Sequence, residues 1–199
     1  MRSCVIIPTL NEEKNILKLY KKILKTKINL DILFVDDNST DNTRLIIKKL
    51  SKNNKKVKFI FRNHKKGIGS AHKDAIKYAY KKKYSLIITM DADGTHDPKY
   101  FKSMIKKAYM YDYVITSRFK KKNLIKDWPI ERKLITYTRH ILVKTFLGLS
   151  HDASGAYRCF LTKKIPLDIF FQSKNNDYAF FWEITYQIKL QHYTIYEIP

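Results

Sequence analysis

At 199 residues the chain is long enough for one sizeable domain, with little room for two. Its 44% hydrophobic and 14% aromatic residues exclude a disordered chain, and no apolar run reaches the roughly 18 residues that span a bilayer. Lys and Arg number 40 against 18 Asp and Glu, a net charge of +22 that predicts a polyanionic partner, either nucleic acid or an anionic membrane surface.

Taken in chain order, the short apolar and β-branched runs at 4–7, 32–35, 57–61, 86–90 and 113–116 read as strands. Between them, 12–24, 41–50, 70–82 and 99–111 carry apolar residues at the i, i+3, i+4 spacing of helices. Repeated strand–helix–strand units imply an α/β fold with a mostly parallel sheet, right-handed crossovers and helices on both faces. The unbroken run Ile32-Leu33-Phe34-Val35 fits a strand buried on both sides. Cys4 and Cys159 are too few for a disulfide framework and read as buried thiols. Residues 1–8 lack a signal-peptide pattern, so a cytosolic start is expected.

In sheets of this kind ligands bind beyond the carboxyl ends of the strands. Three polar clusters fall there: 8–12, 36–39 and 91–97. In the last, Asp91 and Asp93 stand at i, i+2 where an apolar run stops, so both point the same way. Two adjacent acids repel unless a cation lies between them, and hard oxygen ligands suit Mg²⁺ or Mn²⁺ completed by substrate phosphates. The plainer alternative is that they cap the helix starting near Pro98.

The character changes after residue 118. Lys120, Lys121 and Lys122, then Asp127-Trp128-Pro129, form a polar connection. Within 132–149, Leu134, Ile135, Ile141, Leu142, Phe146 and Leu149 can line one helical face, with Arg132, Lys133, Arg139, His140 and Lys144 over the rest. This is either an ordinary packed helix or a basic amphipathic helix lying in a membrane interface.

As an ordered set, Ile6-Ile7-Pro8-Thr9-Leu10-Asn11-Glu12, Val35-Asp36-Asp37-Asn38-Ser39 and Met90-Asp91-Ala92-Asp93 resemble the family 2 inverting glycosyltransferases of the GT-A fold. Ser117-Arg118-Phe119, Asp127-Trp128-Pro129 through Arg132, and Asp152-Ala153-Ser154-Gly155 look like the dolichol-phosphate mannosyltransferase branch, which loads sugar onto a polyprenyl phosphate. The resemblance implies a single domain over 1–199, with a nucleotide-sugar half at 1–118 and an acceptor half at 119–199. It places the nucleotide sugar at Pro8, Leu10, Glu12, Val35, Asp37, Asp91, Ala92 and Asp93, with Mg²⁺ or Mn²⁺ at Asp91, Asp93 and Thr95. Leu10 stands where the family commonly has an aromatic, and Thr95 where the lipid-phosphate branch often has glutamine. Asp36 is expected to serve structure.

By the same resemblance Arg118, Arg132 and Ser154 would hold the acceptor phosphate, with Asp93, Arg118 and Arg132 carrying the chemistry and Gly155 allowing close backbone approach. Arginine suits the task because its planar fork grips phosphate bidentately. The implied donor is GDP-mannose, with UDP-glucose and UDP-GlcNAc as alternatives, and the implied acceptor a polyprenyl phosphate reached from the cytosolic face of a membrane. Family members continue with a basic, glycine-containing segment, so the chain is expected either to be a piece of a longer protein or to use its own lysines in that role. Three rivals stay open: a family 2 enzyme acting on a glycan or protein hydroxyl, where Asp152 could be the base; second, a non-catalytic nucleic-acid-binding protein; and third, a degenerate, non-catalytic GT-A module, suggested by Leu10 and Thr95. The second predicts salt-sensitive binding to DNA or RNA and leaves the acid clusters unexplained.

Overall fold

The structure, a computed structural model, describes residues 2–120 and 129–199. Asp127, Trp128 and the side chain of Arg132 lie outside the described residues, and so do the readings that fell on them. The first half alternates as expected: β1 (Ser3–Thr9), α1 (Glu13–Lys25), β2 (Asp31–Asp36), α2 (Thr43–Asn53), β3 (Val57–Phe61), α3 (Ile68–Lys81) and β4 (Leu86–Thr89). A 3-10 turn at Pro98–Tyr100 leads into α4 (Phe101–Met110) and β5 (Tyr113–Thr116). Then follow α5 (Ile130–Leu147), β6 (Arg158–Leu161), α6 (Ile169–Gln172), α7 (Ala179–Leu190) and β7 (Ile195–Ile198).

The seven strands form one sheet in the order β3-β2-β1-β4-β6-β5-β7. β1 pairs parallel with β2 and β4, β2 with β3, and β5 with β7, while β6 runs antiparallel between β4 and β5. Because side chains alternate along a strand, β1 feeds both faces. Val5 and Ile7 join a core with α1, α2 and α4, and Cys4 and Ile6 join a second with α3 and α7. Both cysteines are buried free thiols. The reversed direction of β6 matters for the site. It brings the start of that strand, and residues 152–157 before it, to the edge where the parallel strands end.

α5 breaks the usual pattern. A helix on a globular domain normally turns its apolar stripe inward, yet here Ile130, Leu134, Ile135, Ile141 and Phe146 are 59–79% exposed. Thr136 is buried on the inward side, where His140 stacks on Phe119 at 4.2 Å. Leu149 departs from expectation. The helix stops at Leu147, Gly148 takes a left-handed φ of +59°, and Leu149 turns into the interior at 0% exposure. Lys189 fixes that end, its Nζ donating to the carbonyls of Leu147 (3.2 Å) and Gly148. Among the described residues no helix is long and apolar enough to cross a membrane.

Candidate active site

Two loops are tied together by Asp36. At the end of β2 and 0% exposed, its carboxylate accepts from Thr9 Oγ1 (3.2 Å), from the Ser39 amide (3.0 Å) and hydroxyl, and from Arg44 Nε. A buried carboxylate survives only with such a shell, and this shell welds the β1 and β2 exits into one rim. Asn11 and Asn38, both left-handed at φ +57° and +69°, make the turns. Asn11 Oδ1 accepts from the Thr40 amide at 2.9 Å. The structural role expected of Asp36 is what this geometry gives it.

Asp37 is equally committed. Its oxygens accept from the amides of Lys66 and Gly67 at 2.9 Å each, and Arg62 Nη1 lies 3.1 Å away. Gly67 has φ +91°, and a Cβ there would fall 2.3 Å from Asp177 Oδ1 and 2.5 Å from the Asn176 carbonyl. Asp37 therefore pins the 66–67 loop to the β2 exit. Val35 and Ala92 are buried core side chains, and Pro8 is buried within β1. Leu10 and Glu12 are partly open on the rim.

Asp91 lies two residues past the end of β4. Burial, then the charges of Asp93 and Glu12, push its pKa up to about 7, and the charge of Arg118 opposes them. Glu12, Asp93 and Arg118 are thus the charged groups that act on Asp91. Asp91 Oδ1 is buried with no hydrogen-bond partner among the described residues, the condition in which a carboxylate accepts a cation most readily. His96 holds the turn: its Nδ1 accepts from the Asp91 amide at 2.9 Å, and its ring stacks on Tyr157 at 4.9 Å. Burial drives the imidazole pKa down to about 4, so the ring is neutral with its proton on Nε2. Asp93 is exposed, and its Oδ1 accepts from the amide (2.9 Å) and hydroxyl (2.7 Å) of Thr95. Gly94, at φ +83°, makes the reversal possible.

Among the described residues no three His, Cys, Asp or Glu side chains are placed to hold a metal ion on their own. Two carboxylates, one with a bare buried oxygen, instead fit a hard cation whose remaining ligands are waters and phosphate oxygens.

A second cluster sits on the 152–155 loop. The backbone N–H and Nε of Arg118 both donate to Asp152 Oδ2, at 3.0 and 2.9 Å. Asp152 Oδ1 accepts from Ser154 Oγ at 3.1 Å, and Ser154 Oγ accepts from Arg139 Nη2 at 2.9 Å. The Asp152 amide donates to Glu197 Oε1 at 2.6 Å. Behind the cluster lies a cavity of about 280 Å³, polar at Arg139 and Ser154 and apolar at Phe119, Leu142 and Trp182. An added Cβ at Gly155 would meet Arg118 Nη2 at 3.6 Å, an ordinary contact, so the protein's own atoms leave room for one there. Arg139 and Glu197 were missed from sequence. Arg139 looks like one more basic residue on a basic helix face, and only the fold turns it toward Ser154.

Comparison with known proteins follows the same lines. The family model of glycosyl transferase family 2 matches residues 4–165. Polyprenol monophosphomannose synthase of Mycolicibacterium smegmatis is 27% identical over 204 residues, covering 100% of this chain and 76% of the relative. Undecaprenyl-phosphate mannosyltransferase of Micrococcus luteus is also 27% identical, over 100% of this chain and 82% of the relative. Among solved structures, the mannosyltransferase PcManGT of Pyrobaculum calidifontis, determined with GDP-Man and Mn²⁺, superposes at TM-score 0.63 with 18% identity. That match covers 99% of this chain and 54% of PcManGT. S. aureus TarS 1-349 gives the same TM-score and identity over 100% of this chain and 58% of its own. At such identity these structures establish the fold, which is GT-A.

Proposed function

This chain belongs to glycosyl transferase family 2, and from that premise we propose that it moves a mannosyl group from GDP-mannose to a polyprenyl phosphate. The two mannosyl-transferring relatives support the sugar and the lipid-phosphate acceptor. The observation that carries a phosphate acceptor over a hydroxyl one is Asp152. It is 3% exposed, and both its oxygens are committed to Arg118 and Ser154. A hydroxyl acceptor needs a free base at this position, whereas a phosphate monoester, with a second pKa of about 6, arrives already ionised.

The rim at Pro8, Leu10, Glu12, Val35, Asp37 and Ala92 receives the nucleotide, through backbone groups where the side chains are buried. Asp91, Asp93 and Thr95 would hold Mg²⁺ or Mn²⁺ against its diphosphate. When bound, such a cation neutralises the charge developing on the leaving nucleoside diphosphate. A related fold bound to GDP-Man and Mn²⁺ supports this choice of cofactor. Arg118 and Ser154, joined by Arg139 and by Arg132 about two turns earlier on α5, orient the acceptor phosphate for in-line attack that inverts the anomeric carbon. Positioning and charge stabilisation supply most of the rate. The first isoprene units of the acceptor fit the apolar end of the cavity beside Trp182.

The outward apolar face of α5 and the net charge of +22 support docking on an anionic membrane. A thermal-shift panel of GDP-mannose, UDP-glucose and UDP-GlcNAc, with and without Mg²⁺ or Mn²⁺, tests the donor site. GDP-mannose is expected to stabilise the protein only with metal, and Asp91→Ala to abolish the effect. No stabilisation by any of the three, with the metal response unchanged in Asp91→Ala, would sink the reading.

A further inference from the structure

Arg158 opens β6 and is 3% exposed. A guanidinium carries five N–H donors and does not deprotonate in proteins, so burying one is costly unless every donor finds an oxygen. All five do. Nε donates to the Gly155 carbonyl at 2.8 Å. Nη1 donates to Tyr113 Oη at 3.0 Å and Thr185 Oγ1 at 2.7 Å. Nη2 donates to the carbonyls of Ala153 at 2.5 Å and Phe181 at 2.9 Å. The rings of Tyr113 and Phe181 lie 5.5 and 5.3 Å from Cζ and favour the cation further. None of the five acceptors is a carboxylate.

The distribution of those bonds is what gives the residue a purpose. Two go to the carbonyls on either side of Ser154, and three go to β5 and α7 in the core. The residues after it on β6, Cys159, Phe160 and Leu161, are wholly apolar and fully packed, so packing alone would be met by another hydrophobe. We infer that Arg158 is a positioning residue for the acceptor phosphate, its rigid fork bracing the 152–155 loop against β5 and α7 so that Ser154 faces Arg118 and Arg139. Its charge, met only by neutral oxygens, adds to theirs at the place where an anion docks. This rests on the acceptor role proposed for that loop.

The test is steady-state kinetics on Arg158→Gln, Arg158→Lys and Thr185→Val, varying undecaprenyl phosphate and GDP-mannose separately in the presence of Mn²⁺. Hydrogen exchange at the 152–155 amides is followed in parallel. Arg158→Gln is expected to raise KM for undecaprenyl phosphate about tenfold or more while KM for GDP-mannose stays within about twofold, a split that simple loss of folded protein does not produce. Lysine keeps the charge but cannot span two carbonyls, so Arg158→Lys is expected to leave the acceptor KM raised and loop exchange faster. Thr185→Val removes one core-side acceptor in a chain that keeps its guanidinium, and a smaller rise of the same kind is expected, which decides the matter should the Arg158 variants not fold. Unchanged acceptor KM and loop protection in folded variants, or full rescue by lysine, would overturn the inference. A wild type that transfers nothing to undecaprenyl phosphate would instead remove the acceptor reading, and loop exchange would still decide the bracing.

Discussion

Asp91 sets the pH behaviour of the site. Its pKa is lifted from the ordinary 3.8 to about 7 by burial and by its acidic neighbours, so the metal-free protein holds a proton there that the unfolded chain has already lost. This term is fully stabilising below about pH 4 and is lost as pH rises through about 7. A divalent cation must displace that proton, so Mn²⁺ affinity is expected to fall about tenfold per pH unit below about 7 and to level off above it. Calorimetric titration across that range checks the slope, and Asp91→Asn is expected to flatten it while weakening binding. On the proposed role of Asp93 as a ligand of the cation that offsets the diphosphate charge, Asp93→Asn is expected to lower the transfer rate by about 10²-fold or more at unchanged thermal stability. The Asp91–Asp93 pair stood out in sequence as two acids at i, i+2 where an apolar run ends, although β4 itself stops at Thr89 and both acids lie in the loop beyond it. The division of labour between Asp36 and Asp37 was only half legible. Which amides a carboxylate captures depends on Lys66 and Gly67, some 30 residues away.

At the scale of elements, α5 carries the sharpest consequence. Ile130 and Phe146 are 79% and 78% exposed, so replacing both with glutamate removes nothing from the core. If that face enters the acyl boundary, each loses about 1.5–3 kcal/mol of transfer free energy. Ile130→Glu with Phe146→Glu is then expected to cut sedimentation with anionic vesicles by more than about tenfold while leaving Tm unchanged. Gly67→Ala works in the opposite sense, because its φ of +91° and the 2.3 Å overlap with Asp177 strain the fold itself. A loss of about 2–3 kcal/mol is expected, which for a domain of this size lowers Tm by roughly 4–12 °C. Strands β1 to β5 and helices α1 to α4 could be read ahead because each carries a short apolar, β-branched run or an i, i+3, i+4 pattern. β6 could not: it spans four residues and begins with a buried arginine, which no hydrophobic pattern predicts. The end of α5 was overrun by two residues for a related reason. Leu149 keeps the apolar spacing, while the stop comes from the left-handed Gly148 and from Lys189, 40 residues further on.

For the molecule as a whole, the parallel strands gather three polar loops at one edge, and the antiparallel β6 delivers the 152–155 loop to that same edge. The alternation of strands and helices foretold the first half of that arrangement. The second half depends on a strand inserted against the direction of its neighbours, which is a property of topology and not of local pattern. The net charge of +22 belongs to this scale too. On the proposed membrane docking it would contribute about 1 kcal/mol for each lysine held near an anionic leaflet, screened by salt. Vesicle binding is therefore expected to weaken from low salt to about 1 M, with a residue that the α5 apolar face sustains. The central claim is transfer of mannose to a lipid phosphate. It is tested most directly by incubating the protein with radiolabelled GDP-mannose, Mn²⁺ and undecaprenyl phosphate, and following label into the organic phase. The account predicts acid-labile, lipid-soluble label that disappears on chelation of the metal and in Asp93→Asn. Label that stays in the aqueous phase, or passes to a sugar or peptide hydroxyl and not to the lipid, would contradict it.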